Sequence, residues 1–200
     1  MANLYRYGDF TNLINARPSN YNHVLATPTK LQECACIVPN CNMLSRRYSN
    51  LDWPSRYSAI LVAAVGYYRK KGLTPFFLNH ESAADAALIT AINLQLPQPL
   101  EIVVEVDPLR LKGIIRNAGA VLCSRYHGCV SAMSQGIACI GTSWSHKYDA
   151  LYTDYGAEPL LLSPNVSVDQ LHQAIDTSLD PGNGLRQHLD LRSAALKADS

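Results

Sequence analysis

The sequence predicts an α/β fold in which helices cover both faces of a parallel sheet. Six short, continuously apolar segments alternate with stretches of helical periodicity between Cys34 and Leu179. Continuously apolar strands are typical of a sheet buried on both faces, and this alternation is typical of a Rossmann-like, doubly wound domain. Polar clusters follow several of the strands, as they do where ligands bind at the carboxyl ends of such a sheet.

The first strand-helix unit is the most clearly marked. Cys34 to Val38 forms the apolar run, and Asp52 is a candidate cap for the helix that follows. Pro54 then occupies an early helical position, where a missing amide hydrogen costs nothing. The basic residues Arg69 to Lys71 precede Gly72, so they complement the helix dipole where the helix ends.

The same alternation continues along the chain. The further strands are predicted at Thr74–Leu78, Ile102–Val106, Ala120–Cys123, Ala138–Gly141 and Leu160–Leu162. The further helices are predicted to begin at Ser82 or Asp85, to run from the Asp107-Pro108 cap to about Asn117, to end near Gln135, and to span Val168–Leu179. We therefore predict one Rossmann-like domain over residues 33–180.

The two flanking segments have a different character. Residues 1–32 lack clear periodicity and contain Pro18, Pro28 and several Asn, so they are expected to be a linker or a remnant of an upstream domain. Residues 181–200 are expected to be a C-terminal helical tail. A Pro-Gly breaker precedes its amphipathic helix, Leu185 to Ala195, which we predict to be detached and able to return to a neighbouring domain.

Composition excludes several functional classes. The formal net charge of +1 provides no field that would attract nucleic acid or anionic lipid, so any anion site has to be local. No apolar run approaches the roughly 18 residues of a membrane span, and the N-terminus lacks the apolar core of a signal peptide, so we expect a cytoplasmic protein.

The six cysteines are expected to be reduced. Most of them lie within apolar strand-like or helical runs, where cysteine behaves as a small buried hydrophobe. Cys34, Cys36 and Cys41 have a C-x-C-x4-C spacing that is not typical of zinc sites. No metal site is predicted.

Two polar clusters mark the expected ligand site. Ser124 to Gly128 follows the fourth predicted strand, and Thr142 to Lys147 follows the fifth. Gly128 is predicted to let the backbone turn sharply into a helix, whose N-terminus suits a phosphate or a carboxylate. Arg125 adds a planar guanidinium for the same anion, and His127 is placed to exchange a proton.

A purely structural explanation of these residues stays open. Arg125 can pair with a carboxylate on a loop, and His127 can pack as a neutral imidazole. No G-x-G-x-x-G follows the first strand, and the chain has neither a G-x-S-x-G elbow nor a P-loop. Dinucleotide binding and the chemistry of those motifs are therefore unsupported.

Three motifs together resemble the polysaccharide pyruvyl transferase family. They are S-R-Y-H-G at Ser124 to Gly128, S-A-M-S-Q-G-I-A at Ser131 to Ala138, and S-H-K at Ser145 to Lys147. Pro39-Asn40 and the Asn79 to Asp85 segment resemble its earlier motifs, so the similarity covers roughly Glu33 to Leu179. Ala138 stands where many relatives carry proline.

The resemblance implies a fold and a reaction. The fold is that of two Rossmann-like domains facing a cleft, similar to the GT-B glycosyltransferases, with this chain as the C-terminal half. The reaction transfers an enolpyruvyl unit from phosphoenolpyruvate to two hydroxyls of a sugar and forms a cyclic ketal. Phosphoenolpyruvate is then the donor substrate, and no cofactor is expected.

The resemblance also implies residue roles. His127 is expected to be the general acid, and His146 a second proton carrier or a donor to the phosphate. Arg125 and Lys147 are expected to bind the donor phosphate and carboxylate. The other expected substrate-binding residues are Ser124, Gly128, His80, Glu81 and Asn40.

Several of these roles have structural alternatives. His80 and Glu81 contact the sugar, orient His127, or form a solvated loop. Asn40 binds sugar hydroxyls or makes an Asx-turn, and we favour the turn. Trp144 and Tyr148 form an apolar wall for a sugar ring or simply pack.

Family members carry an N-terminal domain that contributes to the same cleft, and nothing before Glu33 is expected to form one. The expected partners are therefore phosphoenolpyruvate, a sugar or polysaccharide-precursor acceptor, and an N-terminal domain or a second copy. Two other functions stay open: a GT-B-like nucleotide-sugar glycosyltransferase, and a non-catalytic sugar-binding or interaction module.

Overall fold

The strands of the computed structural model form one six-stranded parallel sheet. The model describes residues 10–16, 25, 30–45, 52–79 and 83–198. The strands are β1 (Cys34–Val38), β2 (Thr74–Asn79), β3 (Ile102–Val104), β4 (Ala120–Cys123), β5 (Cys139–Thr142) and β6 (Leu161–Leu162). Their order is β3-β2-β1-β4-β5-β6, so the direction of winding reverses between β1 and β4. This reversal is the point at which doubly wound sheets bind ligands.

Helices cover both faces of this sheet. They are α1 (Trp53–Lys70), α2 (Ala83–Asn93), α3 (Pro108–Asn117), α4 (Tyr126–Met133), α5 (Lys147–Tyr155), α6 (Val168–Leu179) and α7 (Leu185–Ala198). One layer joins α1 to α2 and α6, and the other joins α4 to α3, α5 and α7. The predicted Rossmann-like doubly wound fold is confirmed. None of the described helices is long and apolar enough to cross a membrane.

The central strands end at the same level. Val38 of β1 is paired with Cys123 of β4, and Cys123 is paired in turn with Gly141 of β5. All residues of β1, β4 and β5 are buried, which explains their continuously apolar sequences. The loops that follow these three strands therefore emerge side by side at one edge.

Element boundaries agree closely with the sequence pattern, with one informative difference. The Asp107 side chain caps α3 by accepting hydrogen bonds from the amides of Leu109 and Arg110, at 2.8 and 3.3 Å. Strand β3, however, ends at Val104 and not at Val106. It lies at the edge of the sheet, where Val104 and Val106 are 67% and 79% exposed and no neighbouring strand extends the pairing.

The last helix, α7, packs on the domain, so the prediction of a detached helix is wrong. Leu189 is fully buried against the core. Ser193 Oγ and Lys197 Nζ both donate hydrogen bonds to the Ser134 carbonyl at the end of α4, at 2.8 and 2.9 Å. A carbonyl at a helix C-terminus has no partner within its own helix, and a cation there also complements the helix dipole.

Part of the N-terminal segment also contacts the domain. Asn12 is buried and its Oδ1 accepts a hydrogen bond from the Tyr155 hydroxyl at 2.9 Å. Lys112 is buried as well, and its ammonium donates to the Thr11 carbonyl at 3.1 Å. Residues 11 and 12 are therefore held against α3 and α5.

Candidate functional site

The candidate site lies at the carboxyl edge of β1, β4 and β5. Residues 39–45, 124–128 and 143–147 follow these neighbouring strands, so the sheet brings together both polar clusters that the sequence singled out. They flank the reversal between β1 and β4. His80 and Glu81, which follow β2, lie outside the described residues.

Ser124 forms the floor of this site. It is fully buried. Its hydroxyl accepts hydrogen bonds from the Tyr57 hydroxyl at 2.6 Å and the Thr142 hydroxyl at 2.7 Å. Its carbonyl accepts from Asn40 Nδ2 at 3.0 Å and from the Tyr148 hydroxyl at 2.8 Å. The side chain of Ser124, which was predicted to bind substrate, is therefore enclosed by protein, and its residue ties three strand ends to α1 and α5.

The two phenols of this network are fixed as neutral donors. Burial raises the pKa of Tyr57 and of Tyr148 well above the usual range of a phenol. Tyr57 also accepts a hydrogen bond from the Asn40 amide at 3.1 Å. Because buried polar groups are costly unless they are satisfied, this network specifies one arrangement of the strand ends.

Asn40 makes the turn that the sequence analysis favoured. Its Oδ1 accepts a hydrogen bond from the Asn42 amide at 3.0 Å, which is an Asx-turn after β1. The residue is only 2% exposed. Its Nδ2 donates to the Ser124 carbonyl, so the oxygen and the nitrogen of the side-chain carboxamide both hold the loop.

Arg125 forms an ion pair with Asp85, a residue that the sequence analysis did not include in the site. Arg125 Nη2 contacts Asp85 Oδ2, and the side chains are 13% and 2% exposed. Asp85 Oδ1 also accepts a hydrogen bond from the Cys41 amide at 2.8 Å. Arg125 thus pairs with a carboxylate, as the structural alternative expected, but this carboxylate lies in the first turn of α2 and not on a loop.

The Cys41 thiol at this edge is not activated. Burial and then a hydrogen bond to the Asp85 carboxylate raise the pKa of Cys41, so the thiol stays neutral at pH 7. All six cysteines are free thiols. The described residues contain no group of three or more His, Cys, Asp or Glu side chains that could hold a metal ion.

The ring of Tyr126 joins the two polar clusters. The His127 ring meets it edge to face, with centroids 5.6 Å apart, and Lys147 Nζ lies 4.5 Å from the Tyr126 centroid. His127, His146 and Lys147 are all exposed. A titratable imidazole of α4 and an ammonium of α5 therefore share one aromatic side chain at the first turn of α4, where backbone amides point out of the helix.

Trp144 and Tyr148 complete the surroundings of Lys147. Tyr148 is fully buried and hydrogen-bonded to Ser124, so its ring belongs to the packed framework of the site and is not an exposed wall for a sugar. Trp144 is half-buried and lies 6.4 Å from the Tyr148 ring, centroid to centroid. These rings were hard to assign from sequence because wall and packing roles give the same aromatic pattern.

Gly128 has a different function from the one predicted. Its φ is not positive, so the sharp turn into α4 does not depend on the conformational freedom of glycine. A Cβ built on Gly128 would collide with Cys123 Sγ, which is fully buried. Glycine is required there because α4 begins in close contact with the end of β4.

A Gly128→Ala substitution should therefore destabilise the protein by about 1–3 kcal/mol, the usual cost of overpacking a core. Gly66→Ala is the matched control, because no atom lies within 4 Å of a Cβ built on that glycine of α1. Alanine should stabilise that helix by up to about 1 kcal/mol. Urea unfolding of both variants measures the difference. A Cys123→Ala, Gly128→Ala double variant should recover stability, and an unaffected Gly128→Ala chain would contradict the packing argument.

Comparison with known proteins gives one family. The family model described as polysaccharide pyruvyl transferase matches residues 3–146 of the 200-residue chain. The match begins before Glu33, where the resemblance was expected to start, and ends directly before Lys147. Searches of curated proteins and of solved structures found no match. With its site-forming loops after β1 and β4 inside the match, the chain belongs to the polysaccharide pyruvyl transferase family.

Proposed function

We propose that this chain provides the donor-binding half of a pyruvyl transferase that uses phosphoenolpyruvate and a sugar acceptor. One observation carries the proposal. His127 and Lys147 meet on the Tyr126 ring at the N-terminal end of α4, so a proton carrier and a cation lie side by side at the carboxyl edge of β4 and β5, next to the sheet reversal. Phosphoenolpyruvate is a trianion with a carbon that must be protonated, and it requires both groups.

The reaction balances without a cofactor. A proton adds to C3 of phosphoenolpyruvate, and a sugar hydroxyl forms a C–O bond to C2 and loses its proton. The C2–O bond to phosphate then breaks, and a second hydroxyl closes the ketal and releases another proton. One donor and two hydroxyls thus give one ketal and one hydrogen phosphate. Of the two hydroxyl protons released, one replaces the proton used at C3 and the other ends on the phosphate.

Each residue has a proposed role in this sequence. His127 donates the proton to C3, since its exposed imidazole lies at the opening. Lys147 and the amides of α4 bind the anionic groups and stabilise the phosphate as it leaves. His146, at the N-terminus of α5, carries a second proton or donates to the phosphate.

Arg125 is proposed to act mainly through the loop that it anchors. Its pairing with Asp85 compensates its charge, so Arg125 adds less net attraction for an anion than Lys147 does. The guanidinium still fixes the start of α4 against the loop after β1. The ion pair therefore helps to orient the first turn of α4, whose amides are proposed to bind the donor.

We also propose a GT-B-like arrangement, in which a second Rossmann-like domain closes over this edge and contributes to acceptor binding. A closed cleft is needed because water would compete with the sugar hydroxyls for the activated donor. The six free thiols fit a reducing compartment, and we propose that the reaction takes place in the cytoplasm.

Donor binding is expected to raise the thermal midpoint of the purified chain. At a phosphoenolpyruvate concentration of about one hundred times Kd, the folded state gains about 2.7 kcal/mol. For a chain of this size that corresponds to roughly 5–10 °C. The measurement is a thermal melt with and without millimolar phosphoenolpyruvate.

Lys147→Met is the informative variant, and Lys30→Met is its control. Lys30 is also exposed but precedes β1 at the opposite edge of the sheet. The shift should persist in Lys30→Met and shrink in Lys147→Met. A folded parent that does not respond to phosphoenolpyruvate contradicts the donor site. A response to nucleotide sugars instead would favour the glycosyltransferase alternative.

A further inference from the structure

Lys147 lies in a cage of three aromatic rings. Its Nζ is 4.5 Å from the centroid of Tyr126 and 5.2 Å from that of Trp144. The third ring, Tyr148, is 5.9 Å away. All three distances fall within the range of cation–π attraction, which is about 6 Å. No carboxylate among the described residues forms an ion pair with Lys147.

The cage is anchored from below. Tyr148 is fully buried, and its hydroxyl donates to the Ser124 carbonyl at 2.8 Å. The Tyr126 ring meets Tyr148 edge to face, with centroids 5.5 Å apart and planes at 86°. Since an edge-to-face pair has a preferred geometry, the position of Tyr126 follows from the hydrogen-bonded framework of the strand ends.

Among the three rings, Tyr126 alone comes from the loop after β4. Trp144 and Tyr148 belong to the same chain segment as Lys147, so their contacts are local. Tyr126 begins α4, and it therefore determines where the ammonium lies relative to the neighbouring cluster that contains His127. Loss of its ring would remove, of the three described ring contacts of Lys147, the one that comes from another segment.

The two cations of the site are held in physically different ways. Asp85 holds Arg125 with an opposite charge, which compensates it. An aromatic face attracts a cation through its quadrupole and carries no net charge, so the full charge of Lys147 is retained. An anionic ligand requires an ammonium that is fixed in place and, as far as the described residues show, not paired with a carboxylate.

We propose that Tyr126 is a positioning residue that holds the Lys147 ammonium at the carboxyl edge of β4 and β5, where it meets the anionic groups of the donor. The identity of the donor rests on the proposed function. The existence of the cage does not depend on that function, and it can be tested without any ligand.

The first experiment observes the cage directly. Lysines of the full chain are dimethylated with ¹³C, which retains their charge, and the Lys147 methyl signal is identified by its loss in Lys147→Arg. Ring currents should displace this signal from those of exposed lysines in the parent and in Tyr126→Phe. In Tyr126→Leu it should move toward the exposed position. A Lys147 signal that coincides with those of exposed lysines in the parent, or that ignores Tyr126→Leu, overturns the proposal.

The second experiment measures the coupling to the donor by titration with phosphoenolpyruvate. Tyr126→Phe retains the aromatic face and should keep the affinity of the parent within about two-fold. Tyr126→Leu should weaken binding by roughly two- to five-fold, in line with cation–π energies at exposed sites. In a Lys147→Met background the same substitution should cause no further loss, since the interaction is already absent.

The outcomes separate the two proposals. A cage signal without any response to phosphoenolpyruvate overturns the proposed function and with it the donor role of Tyr126. Two results overturn the positioning role alone. One is a donor affinity that Tyr126→Leu does not change. The other is an equal loss of affinity on Tyr126→Leu in the parent and in the Lys147→Met background. If Tyr126→Leu does not fold, Tyr126→Met replaces it, because methionine adapts to irregular space in a core.

Discussion

A His127→Gln chain is expected to transfer pyruvate about 10²- to 10⁴-fold more slowly than the parent, which is the usual contribution of a positioned general acid. Glutamine keeps a polar group of similar reach but cannot deliver a proton to carbon. His127 is exposed, so the change should alter stability by no more than about 0.5 kcal/mol. The measurement is phosphate release from phosphoenolpyruvate with a panel of hexopyranosides as acceptors.

Two comparisons make this result specific. The thermal response of His127→Gln to phosphoenolpyruvate should resemble that of the parent, because Lys147 and the α4 amides are unchanged. His172→Gln is the matched control, since His172 stacks on Tyr67 with centroids 3.7 Å apart, away from the site on α6. Equal rates for the His127→Gln and His172→Gln chains would remove His127 from the mechanism.

An Asp85→Asn chain is expected to lose about 3–5 kcal/mol of unfolding free energy, the usual cost of removing one partner of a buried ion pair. The substitution leaves the guanidinium of Arg125, whose side chain is only 13% exposed, without its carboxylate. For a chain of this size the midpoint should fall by roughly 6–20 °C. Urea unfolding gives the free energy directly.

Asp169→Asn is the control for this substitution. Asp169 also lies in the first turn of a helix, but it is exposed, so its loss should cost less than about 1 kcal/mol. An Asp85→Leu, Arg125→Met double variant should recover much of the stability, because it removes both charges of the pair together. Similar stabilities for Asp85→Asn and Asp169→Asn would show that the pair is unimportant. Arg125→Ala alone is a poor test of anion binding, since it also removes the cation that pairs with the buried Asp85 carboxylate.

The strands could be predicted because each is a short apolar run, which can be recognised in the sequence without knowing which strands lie beside it. The polar residues after β4 and β5 were foreseen for a similar reason, since any parallel sheet collects its strand ends at one edge. Strand order was not foreseen. It depends on which apolar runs pair, and local sequence does not encode that choice.

The features of the site that the sequence did not predict depend on contacts that become visible only in the folded chain. Asp85 and Arg125 are 40 residues apart, and neither carries a local sign of the other. Ser124 looks like an exposed polar residue beside Arg125, yet Tyr57, 67 residues away, covers its hydroxyl. Gly128 was assigned to a turn because its close neighbour, the Cys123 sulfur, is visible only once α4 is placed against β4.

The bonds of Ser124 also bear on how the protein is made. Asn40 and Ser124 are 84 residues apart, so the loop after β1 leaves the ribosome long before its partner exists. The Ser134 carbonyl at the end of α4 finds its partners later still, because Ser193 and Lys197 lie near residue 200. A nascent chain that has completed β1, β2 and β3 therefore has an unpaired edge at β1, and this edge stays open to other chains until Ala120–Cys123 has emerged and paired with it as β4.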